Sequence, residues 1–252
     1  MNARRAGLAA LASVLLAAGC SQEAERQPRD ARPPTPIAQP MPSAPLPGPT
    51  ESRPASPSLP RGSGFDFYVL SLSWSPSYCE AEGQDANRQQ CAAGRPYAFV
   101  VHGLWPQFER GYPESCRTEE PDVPRQTLRT LYDIMPSAGL IRHQWRKHGS
   151  CARLGQDDYF AVLRAAREAV SIPARFRRLD AYVTLPPGEV EKAFLEANPA
   201  LPSDAVAVTC DKRFLREVRI CLTRDLEFRA CPEIDRRGCR LPKVVMPPVR
   251  GG

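Results

Sequence analysis

The chain has three histidines, and all three fall in two short segments. His102 lies in Phe99-Val-Val-His-Gly-Leu-Trp-Pro106. His143 and His148 lie in His143-Gln-Trp-Arg-Lys-His-Gly-Ser-Cys151. Imidazole is the one side chain whose ordinary pKa lets it give and take protons near neutrality. Two imidazoles in one pocket are the smallest set that supports paired acid and base catalysis. Lys147 sets an ammonium beside His148, suited to stabilising negative charge that grows in a transition state. Zinc fits the set poorly. On a helix, positions five apart diverge by about 140°, and the chain has no Cys-x-x-Cys pair.

These residues need elements to hold them. Phe65 to Ser73 is aromatic, branched and partly alternating, which predicts a strand. Tyr97 to Val101 predicts a second strand that delivers His102 at its end. If His143 to Cys151 is helical, Gln144, Lys147, His148 and Cys151 share one face. Further helices are predicted over Thr127 to Ile134, Asp157 to Val170 and Pro187 to Ala197. Tyr159, Val162, Leu163 and Ala166 form one face of the second of these. Ala205 to Val208 and Leu215 to Leu222 predict two more strands. Strands at both ends with helices between them indicate an α+β domain.

At 252 residues the length allows one or two domains, and the first sixty residues narrow the choice. Arg4 and Arg5, an apolar run from Leu8 to Ala18, and a small-residue end at Cys20 read as an export signal over residues 1–20. The run is too short to span a bilayer as a helix. Leu16-Ala-Ala-Gly-Cys20 resembles a bacterial lipobox, with Ala17 where leucine is usual, so Cys20 is the candidate lipidation site. An ordinary signal peptide that carries a cysteine is the other reading. Residues 21–60 form a linker, with twelve of the 28 prolines between Pro28 and Pro60. It is either a semi-rigid polyproline spacer or a disordered tail. The domain that remains, 61–245, is long enough for a full core. The formal charge is +6, and loss of Met1 to Gly19 with Arg4 and Arg5 leaves about +4. Such an excess is compatible with a polyanionic partner without demanding one. Besides Cys20 there are eight cysteines, an even number that implies disulfides in an exported chain. Spacing alone does not choose among their pairings.

The two histidine segments resemble, in order, the paired active-site segments of the ribonuclease T2 family. Trp74-Ser-Pro-Ser-Tyr-Cys79 and Glu217-Val-Arg-Ile-Cys-Leu222 add to the likeness, which spans about Phe65 to Arg240. The resemblance implies an antiparallel sheet flanked by helices and stapled by Cys79–Cys91, Cys116–Cys151, Cys210–Cys239 and Cys221–Cys231. It implies a metal-independent, cofactor-free endoribonuclease that acts on single-stranded RNA and leaves 2′,3′-cyclic phosphate ends. By resemblance His148 is the base, His102 the acid, Lys147 the stabilising cation and His143 a phosphate contact. Trp105, Tyr112 and Gln107 resemble the base-binding region, where stacking on aromatics would hold an unpaired base. The expected setting is a monomer exported to the periplasm or tethered to the outer membrane of a Gram-negative bacterium.

One departure matters. The family usually has glutamate where this chain has Gln144. An amide carries no charge, yet it can donate a hydrogen bond to a phosphoryl oxygen. The alternative function is therefore an RNA-binding protein of the same fold, weakened in catalysis at Gln144. Retention of His102, His148 and Lys147 favours the enzyme.

Overall fold

The computed structural model describes residues 59–250. The leader, Cys20 and the linker as far as residue 58 lie outside them. In chain order the elements are β1 (Phe67–Trp74), α1 (Ser75–Glu82), α2 (Arg88–Cys91), β2 (Phe99–Gln107), α3 (Arg125–Arg129) and α4 (Ala138–Lys147). They continue with α5 (Gln156–Glu168), β3 (Val183–Leu185), α6 (Pro187–Ala197), β4 (Val206–Cys210), β5 (Leu215–Leu222), α7 (Pro232–Arg236) and β6 (Val244–Met246). Four strands form one antiparallel sheet in the order β2-β1-β5-β4, and β3 pairs with β6 in a short ribbon. Helices flank the sheet, so the α+β expectation holds.

The central strand β1 explains how one sheet carries both a core and a cleft. Tyr68, Leu70, Leu72 and Trp74 point to one face and are fully buried. They join Tyr159 and Leu163 of α5 and Phe194 of α6 in the main core. Each fully buried large side chain contributes about 1.5–3 kcal/mol. The opposite face of β1 carries Phe67, Val69, Ser71 and Ser73. There Phe67 and Val69 pack in a smaller cluster with the Cys221–Cys231 bridge, while the two serines leave space above the sheet.

Three elements depart from the sequence reading. Strand β2 does not stop before His102 but runs from Phe99 to Gln107. Ser71 pairs with Gly103 while Leu72 pairs with Val101, so His102 is the extra residue of a β-bulge. β2 is an edge strand, where Pro106 is tolerated. The second departure is the helix expected over His143 to Cys151. α4 begins at a Ser137 cap, whose Oγ accepts from the Leu140 N–H at 3.3 Å, and ends at Lys147. His148 leaves helical geometry (φ −124°, ψ −48°), and a 3₁₀ turn follows over Gly149–Ala152. A side chain at Gly149 would strike Trp145 and Tyr159, so the turn packs tightly on α4 and α5. Third, of the helix expected over Thr127 to Ile134 only Thr127 to Arg129 is helical, as the end of α3, and residues 130–134 continue as turns.

The disulfides join Cys79 to Cys91, Cys116 to Cys151, Cys210 to Cys239 and Cys221 to Cys231, the same pairs the resemblance implied. Cys116–Cys151 ties the loop before α3 to the turn that follows His148. The same loop is anchored by the Ser115 N–H on the Lys147 carbonyl at 2.7 Å.

Candidate active site

The cleft face of the sheet is read directly from its register. On β5, Glu217 and Arg219 stand opposite Ser73 and Ser71 of β1. On β2 the bulge presents His102, and Gly103 and Trp105 stand opposite Ser71 and Val69. Above them, α4 and its exit turn bring His143, Gln144, Lys147 and His148. Together these residues line an open cleft of about 870 Å³, with Tyr112 and Gln107 at its edge. All eight catalytic and substrate-binding candidates from the sequence meet there. The helical argument that separated His143 from His148 does not apply, because His148 has left the helix and both rings face one cleft.

Trp105 organises the middle of the site. Its ring centroid is 5.5 Å from that of His102 and 5.3 Å from that of His148. Its Nε1–H donates to Oε1 of Gln144 at 2.7 Å. Gln144 is buried, and this bond leaves its amide nitrogen free to donate. A side chain at Gly103 would collide with both Gln144 Oε1 and Trp105 Nε1. The glycine after His102 is therefore required by the close approach of the indole and the amide.

The two imidazoles that flank Trp105 differ in their partners. His148 is 8% exposed. Burial, then the charges of Lys147, His143 and His102, lower its pKa to about 4. Its Nδ1 is buried with no hydrogen-bond partner. His102 instead has its Nδ1 against a carboxylate oxygen of Glu217. The other oxygen of Glu217 accepts from Arg219 Nε at 2.9 Å and Nη2 at 2.8 Å. Burial alone would raise the Glu217 pKa. The hydrogen bond and charge of His102, with Arg219, outweigh it and hold the carboxyl down to about 2. The Arg219 guanidinium also lies 5.1 Å from the Trp105 ring centroid.

The remaining candidates are more exposed. His143 has its pKa lowered by partial burial, then by Lys147, Arg146 and His102. Lys147 Nζ lies 3.5 Å from Glu114 on the facing loop. Tyr112 is 47% exposed, with its ring 6.2 Å from that of His148. Gln107 is buried and donates to the Pro106 carbonyl at 2.9 Å. A second cavity, of about 670 Å³, shares His102 and Glu217 as its wall and continues past Ser73, Tyr78, Ser137 and Arg216. Among the described residues, no group of three or more His, Cys, Asp or Glu is arranged to hold a metal ion.

Sequence reasoning missed Glu217 and Arg219 as site residues. A signal was present in β5: Glu217 and Arg219 are two residues apart and so share a face, opposite that of Val218, Ile220 and Leu222.

The α+β fold brings three imidazoles and a lysine into one open cleft, the groups that acid–base chemistry on an anionic substrate requires. The model of the ribonuclease T2 family matches residues 65–231. A ribonuclease of Aeromonas hydrophila is 38% identical over 169 residues, covering 64% of this chain and 73% of its own. Ribonuclease I of Escherichia coli is 25% identical over 205 residues, covering 64% and 76%. Among solved structures, an RNase-related protein from Calystegia sepium superposes with a TM-score of 0.60 at 19% identity, over 75% of this chain and all of its own. RNase NT in complex with 5′-AMP superposes with a TM-score of 0.54 at 25% identity, over 74% and 100%. The chain belongs to the ribonuclease T2 family, a family of endoribonucleases.

Proposed function

We propose that this endoribonuclease cleaves single-stranded RNA by transphosphorylation, with His148 as base and His102 as acid. The observation that carries the reading is the asymmetry of the two rings. A ring whose pKa is lowered to about 4 is neutral at working pH and free to accept a proton. A ring held against an ionised carboxylate is suited to carry and release one. In the reaction His148 removes the proton of the ribose 2′-OH. The 2′-oxygen bonds to phosphorus as the bond to the 5′-oxygen breaks, and His102 protonates that departing oxygen. The product end is a 2′,3′-cyclic phosphate. Nucleophile and both proton transfers are supplied by RNA and protein, so the scheme needs no metal.

Lys147, His143 and the free amide nitrogen of Gln144 stabilise the negative charge that grows on the non-bridging oxygens. The two cavities on either side of the His102–Glu217 wall suit the two nucleosides that flank the phosphate. The exposed Tyr112 provides a stacking surface, which an unpaired base can reach and a paired one cannot. Four disulfides suit an oxidising, extracytoplasmic compartment, and the lipobox-like end at Cys20 supports a lipid-tethered form.

The test is RNA incubated with the purified protein in EDTA, with product ends read by mass spectrometry. The expected result is cleavage to 2′,3′-cyclic phosphates. His102→Ala and His148→Ala each lose roughly 10²–10⁴-fold while remaining folded. Products with 5′-phosphates, activity lost in chelator, or either variant at near wild-type turnover refutes the mechanism. RNA bound but never cut would favour the binding-protein alternative.

A further inference from the structure

Position 144 offers the cleft an amide, yet the cleft does contain a carboxylate. Among the described residues that line it, Glu217 is the single one. It comes from a different element, and it has two separate partners. One oxygen meets His102 Nδ1, while the other takes both Nε and Nη2 of Arg219. Neutralising Arg219 would occupy one oxygen alone. The other is spent on the imidazole at the bulge.

The sheet is shaped for this contact. Glu217 on β5 and His102 on β2 are separated by β1, which places their backbones about 10 Å apart at ordinary strand spacing. The β1 residues beneath them on that face are Ser71 and Ser73. Larger residues there would block the path. With serines, a glutamate and a bulged histidine reach each other across the intervening strand. Arg219 is held in turn by the Trp105 ring, which itself lies between the two imidazoles.

We propose that Glu217 and Arg219 are a positioning pair for the leaving-group acid: Glu217 fixes the tautomer and charge of His102, and Arg219 fixes Glu217. This rests on the reading of His102 as the acid. With Nδ1–H held by the carboxylate, Nε2 is the nitrogen that carries the proton to be given. In the step itself the 2′-oxygen–phosphorus bond forms and the phosphorus–O5′ bond breaks. The Nε2 proton leaves with O5′, and His148 keeps the proton taken from the 2′-OH. His102 ends neutral with its Nδ1–H still on Glu217, so Glu217 orients the ring without taking a proton, the logic of a buried carboxylate behind a catalytic imidazole. The other charged groups facing His102 are Arg219 and Arg216 from β5, His143 and Lys147 from α4, His148 beyond its end, and Arg237 after α7. All are basic, so Glu217 is the one group there that favours the imidazolium.

The test uses the whole exported chain and two substrates, an RNA dinucleotide and a nucleoside 3′-(4-nitrophenyl phosphate). The second has a leaving group that departs without an acid. Glu217→Gln should slow dinucleotide cleavage by about 10²-fold and come within a few-fold of wild type on the nitrophenyl ester. It should move the alkaline limb of the pH–rate curve to lower pH, because a negative charge beside the imidazolium is lost. Arg219→Gln should move the same limb to higher pH, because a positive charge is lost. Opposite movements are what a merely structural pair would not produce. Equal losses of Glu217→Gln on both substrates, or limbs that stay in place, overturn the proposal while leaving the two-histidine reaction intact. If Glu217→Gln does not fold, the limb of Arg219→Gln decides alone. Failure of the wild-type protein to form a cyclic phosphate overturns the underlying reading before any variant is made.

Discussion

Acid should destabilise this protein earlier than its carboxylates require, and His148 is the reason. An ordinary histidine titrates near 6.5; burial, then the charges of Lys147, His143 and His102, lower this one to about 4. Between those values the unfolded chain binds a proton that the native chain does not, so stability falls as pH falls through the window. At 1.36 kcal/mol per pH unit, the loss attributable to this ring approaches about 3 kcal/mol by pH 4. Glu217 acts one window lower. Its carboxyl, held at about 2 against an ordinary 4.5, contributes stability that is present above 4.5 and lost as pH falls through about 2. The assay is urea unfolding at intervals from pH 7.5 to 4 for the natural protein and for His148→Gln, whose side chain does not titrate. The natural protein should lose about 3 kcal/mol more than the variant over that range. With His148 in the proposed role of base, the same ring would set the acid limb of kcat/KM, which reports the free enzyme, so that limb should inflect near pH 4. Parallel stability curves between pH 6.5 and 4, together with a limb at the ordinary histidine value, would refute the claim that burial keeps His148 neutral.

Gly103→Ala places a methyl group into Gln144 and Trp105. It should cost about 1–3 kcal/mol in denaturant unfolding and lower RNA cleavage, whereas an unchanged midpoint and rate would show that the indole and amide need not meet. Gln144→Glu keeps the acceptor for Trp105 Nε1–H and adds a charge beside the cleft. It should raise the rate and move one limb of the pH–rate curve upward, and superimposed curves would show that position 144 has no electrostatic role. Intact-mass analysis of membrane-extracted protein should find a lipidated Cys20 at the start of the mature chain and no free thiol among the other eight cysteines. A soluble mature form without Cys20 would remove the anchor but leave the disulfides standing.

Much of the architecture was legible from residue pattern because the signals were local. α6 and β5 match their sequence boundaries, and α5 differs by a residue or two at its ends. In each, periodic apolar residues face a single core. The paired motifs likewise carry six of the residues that line the cleft: His102, Trp105, His143, Gln144, Lys147 and His148. What stayed hidden depends on packing between distant segments. Within His143 to Cys151 the one local hint that the helix stops at Lys147 is Gly149, two residues further on. The turn is set by Gly149 packing under Trp145 and Tyr159 and by the bridge from Cys151 to Cys116. Glu217 and Arg219 were visible as charges on a strand, but their partner lies two strands away, across serines whose smallness has meaning only once the sheet order is known.

The bulge at His102 joins the local and the distant parts of the site. In a regular strand, residues three apart point to opposite faces, so His102 and Trp105 could not both enter the cleft. With one extra residue in β2 the phase reverses between them. Val101 and Leu104 remain in the core, while His102, Gly103 and Trp105 stand together on the other side. The same reversal breaks the alternation on which strand recognition rests, which is why the strand seemed to end at Val101 when read from sequence. Removing one residue from β2 at this point would restore the alternation and turn one of the two rings into the core. The irregularity that obscures the strand is therefore what brings His102, Trp105 and the amide of Gln144 to one place.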